Sequence, residues 1–261
     1  MINRDRNLFL PTFENVTVVI SGEPGVGKTW FALTFAQALN QLRRKILLTD
    51  ADNGLQNIAF QLGIKSENSL ENVINEKITL NQAIMPINKK KFDILFASSG
   101  SDILAGSPIG RLQILREDFI HLLHYYDEVV IDTASNENIM QHFIVPNAKL
   151  LLICSNEPAN LVLTYSLLQK ISVELPYKQL QIVVNHASSY EDGLQTYNIL
   201  RHACEQYIDM VPQLLGVVRH DTRVRDAIRN HVMMLSRYPE AEASSDVMNI
   251  ARNFLHEEEK K

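Results

Sequence analysis

Gly22-Glu23-Pro24-Gly25-Val26-Gly27-Lys28-Thr29 fits the spacing G-x-x-x-x-G-K-[ST]. Residues of these types at this spacing do phosphate chemistry. Glycines let the backbone curl until successive N–H groups point inward at one anion. A helix beginning at the end of the loop adds the positive end of its dipole. Lys28 then reaches the β- and γ-phosphates of a nucleotide, and the Thr29 hydroxyl ligates Mg2+. Gly22, Gly25, Val26, Gly27, Lys28, Thr29 and Trp30 are the candidate phosphate-contacting residues.

Three carboxylates fall where such a loop needs them. Asp132 closes the apolar run Val129-Val130-Ile131 and is placed to hold the Mg2+ hydration shell. Asp50 and Asp52 flank Ala51 at the end of a second apolar run, Ile46 to Thr49. One of them faces the phosphates and the other supports the loop; an acid beside the γ-phosphate orients or deprotonates water. Thr29 and Asp132 are candidate metal ligands and Lys28 a candidate catalytic cation, while Asp50 and Asp52 stay open between the metal and the water. For the acids, the competing readings are a helix cap at Asp132 and a solvated turn at Asp50–Asp52.

The elements that would position these groups alternate. Val16 to Ile20 reads as a buried strand, and Trp30 to Leu42 as the helix after the loop. Further strands are expected at Ile46–Thr49, Phe92–Ala97, Glu128–Ile131, Lys149–Ser155, Leu180–Val184 and Leu214–Val218. Helices are expected up to Leu62, over Ser69–Ile74, Thr79–Ile84, Arg111–Tyr125, from Glu137, over Asn160–Val173, Glu191–Ile208, Asp221–Asn230, and from Ser244 or Ser245 to Leu255. Alternation of this kind implies right-handed βαβ units: an α/β fold, a doubly wound, mostly parallel sheet with helices on both faces. Loops then gather at the carboxyl edge of the sheet. The segments 21–29, 50–57, 132–136, 156–158, Asn185 and 219–221 all follow strands and converge there. The division expected is an N-terminal arm over 1–14, one domain over 15–256 and a charged tail over 257–261.

With 261 residues, 46% of them hydrophobic, the chain can bury the core of a large α/β domain. A formal net charge of −5 argues against a strong nonspecific grip on nucleic acid. Cys154 and Cys204 are the two cysteines, and no Cys/His spacing suggests zinc. No apolar run approaches the ~20 residues of a membrane span, so the expected location is cytoplasmic. Val247, Ala251, Phe254 and Leu255 share a helical face, but the tail after them is rich in glutamate. Core packing is the reading preferred over a membrane-surface helix. Arg219, Arg223, Arg225 and Arg229, with His220 and His231 nearby, form a local basic cluster. A solvated helix face is its default; an anionic surface such as DNA is the minority reading.

The stretches ILLTDADNGLQNIAFQLG, YYDEVVIDTAS, NEPANLVLTYSLLQKI, IVVNHAS and LLGVVRHDTRVRDAIRNHVMMLSRYPEAEASSDVMNIA resemble the MinD/ParA group of P-loop ATPases. The resemblance covers about Val16 to Phe254. It is nearest the FlhG/FleN branch, which sets flagellar number and placement. The resemblance implies ATP or ADP with Mg2+ as ligands, Asp52 as the water-activating acid, Asn185 as a hydrogen-bond partner of adenine, and a regulatory protein partner. It also implies an ATP-dependent homodimer. Against that dimer stands Glu23, where the family has a lysine that reaches the partner's phosphates. Pro24, Trp30, Asn136, Asn156 and Arg219 are further departures. They keep a second reading open, a non-hydrolysing or nucleotide-free scaffold of the same fold. A small-molecule kinase fits the loop alone.

Overall fold

The computed structural model describes residues 13–51, 57–65, 68–88, 91–96, 107, 109–133, 147–174, 180–208 and 210–258. Within them, eight strands form one sheet in the order β3-β4-β2-β5-β1-β6-β7-β8. These are β1 (Val16–Ile20), β2 (Ile46–Ala51), β3 (Ile84–Asn88), β4 (Phe92–Phe96), β5 (Glu128–Thr133), β6 (Lys149–Cys154), β7 (Leu180–Ala187) and β8 (Gln213–Arg219). Every neighbouring pair is parallel except β3 and β4.

All five residues of β1 are buried, because both faces of the sheet are covered. Alternate side chains feed two cores. Val18, Leu47, Val129, Leu150 and Ile182 pack with Leu115, Phe119 and Leu122 of α5 (Ile109–Leu123), Leu168 of α6 (Pro158–Glu174) and Leu200 of α7 (Tyr190–Tyr207). Val19, Leu48, Val130, Leu151 and Val183 pack instead with Phe31 and Phe35 of α1 (Lys28–Gln41) and Val247, Ala251 and Phe254 of α10 (Glu242–Glu258). The smaller helices are α2 (Ile58–Leu62), α3 (Leu70–Ile74), α4 (Leu80–Ala83), α8 (Thr222–Arg229) and α9 (Met234–Arg237). Phe13 is also buried in the first core.

The C-terminal helix shows its apolar stripe to the protein. Phe254 meets Phe35 edge-on at 5.3 Å, and the Lys149 ammonium lies 4.5 Å from the Phe254 ring centroid. Core packing therefore explains that stripe. Gly63 ends α2 in the left-handed conformation, φ 63°, and Asp221 caps α8 by accepting from Arg223 N–H at 2.9 Å.

Two local expectations are corrected, and one short helix goes unread in the sequence. The helix expected over Thr79–Ile84 stops at Ala83, and residues 84–88 form an antiparallel edge strand where no strand was expected. Pro86 hides this in the sequence, yet an edge is where a strand tolerates a missing donor. Helix α10 starts at Glu242, ahead of the serines expected to cap it, and the Ser244 hydroxyl bonds to the Tyr238 carbonyl at 2.6 Å. The short α9 lacks an apolar period long enough to read. The helix expected from Glu137 lies outside the described residues.

Candidate functional site

The chain leaves β1 toward β2 on one side of the sheet, while β6, which follows β5, lies on the other. The loop after β1 thus sits at the point where the strand order reverses, where an α/β sheet opens its crevice. Its geometry follows from its glycines. Gly27 has φ 86°, a left-handed conformation that costs a residue with a Cβ, and it is the N-cap of α1. Among the described residues no side chain caps that helix and no acid lies in its first turn, so its first N–H groups, which have no intrahelical partner, are left to a ligand. At Gly22 the constraint is closeness: a Cβ would lie 2.6 Å from the Leu163 carbonyl oxygen of α6.

The loop is braced from behind. Asn185, at the end of β7 and 3% exposed, donates from Nδ2 to the Val26 carbonyl at 2.8 Å. A Cβ on Gly27 would lie 2.6 Å from that same nitrogen. Glu23 points into the protein, where its Oε1 accepts from Ser155 N–H at 3.0 Å. It is therefore not displayed outward, the orientation in which its charge would oppose a second copy. Burial raises its carboxyl above the ordinary range, opposed by the Ser155 hydrogen bonds and assisted by Glu157.

Asp50 and Asp132 are register partners on adjacent parallel strands, so they share one face of the sheet at its carboxyl edge. Both are buried. Asp50 Oδ2 accepts from the Ile58 N–H at 3.0 Å, which ties the start of α2 to the strand tip. Lys28 Nζ lies 3.2 Å from Asp132 Oδ1 and also donates to the Thr133 carbonyl. The Thr133 hydroxyl donates to the Val19 carbonyl at 2.8 Å, which fastens the tip of β5 to β1. A threonine hydroxyl and two neighbouring carboxylates are hard oxygen donors, the set that suits Mg2+. Asp50 and Asp132 share one strand-tip face, and with Thr29 of the loop they offer the donor chemistry that ion takes.

Of the expected site residues, the loop residues 22–30, Asp50, Asp132 and Asn185 come to one edge. Trp30 contributes its backbone there, its ring being buried in the core behind the loop. Asp52 and Asn136 lie outside the described residues. His186 escapes a reading of motifs. It has φ 60°, and its Nε2 would be 3.3 Å from a Cβ on Gly27. Desolvation, then the charges of His220 and Arg225, lower its affinity for a proton. Only a left-handed residue directly after Asn185 could have signalled it, and sequence gives no such sign for histidine.

The basic cluster is partly consumed internally. Arg219 holds Asp246 at 2.9 Å and Glu242 at 2.7 Å, and Arg223 holds Asp221 at 2.8 Å. Among the described residues, no helix is long and apolar enough to cross a membrane.

Residues 15–173 match the family described as "AAA domain". The chain is 26% identical over 231 residues to Antiactivator FleN of Pseudomonas aeruginosa, covering 88% of this chain and 82% of that protein. It is 28% identical over 251 residues to the septum site-determining protein MinD of Bacillus subtilis, covering 92% and 88%. Among solved structures, MinD of Pyrococcus horikoshii complexed with Mg-ADP has the same fold, with TM-score 0.74 and 19% identity over 92% of this chain and 95% of that one. Family match, strand order and loop agree: the chain belongs to the MinD/ParA-type P-loop ATPases, close to FleN.

Proposed function

We propose that this protein binds ATP with Mg2+ and acts, through a regulatory protein partner, as a switch that places or counts a cell structure such as flagella. The observation that carries this reading is the meeting of Lys28, Asp132 and Asp50 beside the glycine loop. The loop N–H groups and Lys28 bind the phosphate chain. Thr29, with Asp50 and Asp132, holds Mg2+, which neutralises charge on the phosphates when bound. Lys28 leaves Asp132 and the Thr133 carbonyl for phosphate oxygens, and Asn185 reaches the adenine with the polar atoms that Val26 does not use. Asp52 aligns water for slow hydrolysis. The switch domain spans 15–256 and works in the cytoplasm.

Calorimetry with Mg-ATP on wild type and Lys28→Ala tests the binding reading. Heat of binding in wild type and none in the variant supports it; no heat in wild type ends it. Hydrolysis is tested separately with Asp52→Ala, where rates equal to wild type would remove the catalytic claim and leave a binding switch. The inward turn of Glu23 favours that second reading, because the first turn of the loop is tied within one chain.

A further inference from the structure

Glu23 is the residue of the glycine loop that the phosphate motif does not explain. Its side chain is 1% exposed and sits where the loop meets β6 and α6. One carboxyl oxygen, Oε1, accepts from Ser155 N–H. The other, Oε2, is buried with no hydrogen-bond partner among the described residues. The position is rigid. Ser21 Oγ donates to the Glu23 carbonyl at 2.9 Å, Asn160 Nδ2 donates to Ser155 Oγ at 3.0 Å, and Gly22 has no room to move toward α6.

A carboxylate enclosed in this way is poorly solvated. Among the described residues, its charged surroundings do not compensate. Glu157 adds like charge from the start of α6, burial keeps the Cys154 thiol of β6 neutral, and Lys28 directs its ammonium to Asp132 and the Thr133 carbonyl. Binding of a triphosphate would bring several more negative charges into the same eight residues, in an interior where they act strongly. The carboxyl cannot swing away, so neutralisation is the way left to relieve the repulsion.

We propose that Glu23 is a proton-coupled brace of the phosphate loop: when a nucleoside triphosphate binds, its buried carboxyl takes up one proton from solvent. The proton goes from hydronium or buffer acid to Oε2, and no other covalent bond changes. Oε1 keeps accepting from Ser155 N–H, so the brace survives. This rests on the nucleotide-binding reading above and deepens it by giving Glu23 a positioning role. Affinity then falls as pH rises, by at most about tenfold per pH unit for one coupled proton.

The experiment is calorimetry of Mg-ATP binding in buffers of different ionisation heat, at about pH 6 to 8, on wild type and Glu23→Gln. The glutamine keeps an acceptor for Ser155 N–H and cannot ionise. Wild type should show proton uptake in its buffer-dependent heat. Glu23→Gln should lose that uptake and flatten the pH dependence. Equal uptake in both proteins assigns the proton elsewhere and overturns the proposal. Infrared difference spectra of wild type with and without Mg-ATP read the same event without a variant: a new protonated-carboxyl band supports it and no band overturns it. ATP binding without proton uptake sinks this inference alone, whereas no ATP binding sinks the functional reading with it.

Discussion

Replacing Gly27 with alanine should injure the loop by two separable routes. The first is conformational: φ 86° is left-handed, and a Cβ there costs about 1–2 kcal/mol. The second is steric: the new Cβ would lie 2.6 Å from Asn185 Nδ2, so the amide must leave the Val26 carbonyl that it holds at 2.8 Å. Losing that buried bond costs about 1–3 kcal/mol. Gly27→Ala should therefore lose about 2–5 kcal/mol in urea unfolding. Asn185→Ala alone should lose about 1–3 kcal/mol. In the double variant the obstructing amide is gone and only the conformational cost adds to its loss. The double should then fall short of the sum of the singles by about 1–3 kcal/mol, well beyond the scatter of independent sites. Strictly additive losses would mean that Asn185 does not press on Gly27, and the bracing argument would be wrong.

Other outcomes follow from single contacts. Lys28→Ala leaves Asp132 buried without its ammonium and should destabilise the protein by about 3–5 kcal/mol in denaturant melts; Lys28→Ala with Asp132→Asn should recover part of that loss. Phe254→Ala removes a ring that is 2% exposed, edge-on to Phe35, and should cost about 3–5 kcal/mol; a stability change under 1 kcal/mol would return the C-terminal stripe to the surface. Glu23 binds its proton more tightly folded than unfolded. Its contribution to stability is therefore fully present below about pH 4.5, the ordinary glutamate value, and is lost as pH rises through its higher folded range. Thermal melts of Glu23→Gln should lack that decline, and identical pH profiles for the two proteins would refute the shift.

The fold was legible because both signals it uses are local. Buried strands such as Val16–Ile20 read as unbroken apolar runs, and their alternation with helices leaves few topologies. The loop was legible because its glycines answer a backbone requirement and its lysine a chemical one. What escaped depends on contacts far apart in the chain. Residue 23 looked like a charge facing outward until β6 brought the Ser155 N–H beside it, 132 residues away. The strand at 84–88 was missed because Pro86 is a poor strand residue everywhere except an edge, and edges are defined only by the finished sheet. The basic cluster at 219–229 looked available because its acidic counterparts, Glu242 and Asp246, arrive on a different helix.

Trp30 is the chain's one tryptophan, and it follows directly on Thr29. Its indole is buried in the core against which α1 packs, and its Nε1–H donates to no acceptor among the described residues. Tryptophan emission from this protein, excited beyond the absorption of its eight tyrosines, consequently originates at a single known address, one peptide bond from the phosphate seat. The molecule carries its own optical probe, so titrations of ligand, metal or partner can be followed on the unlabelled, unmutated chain.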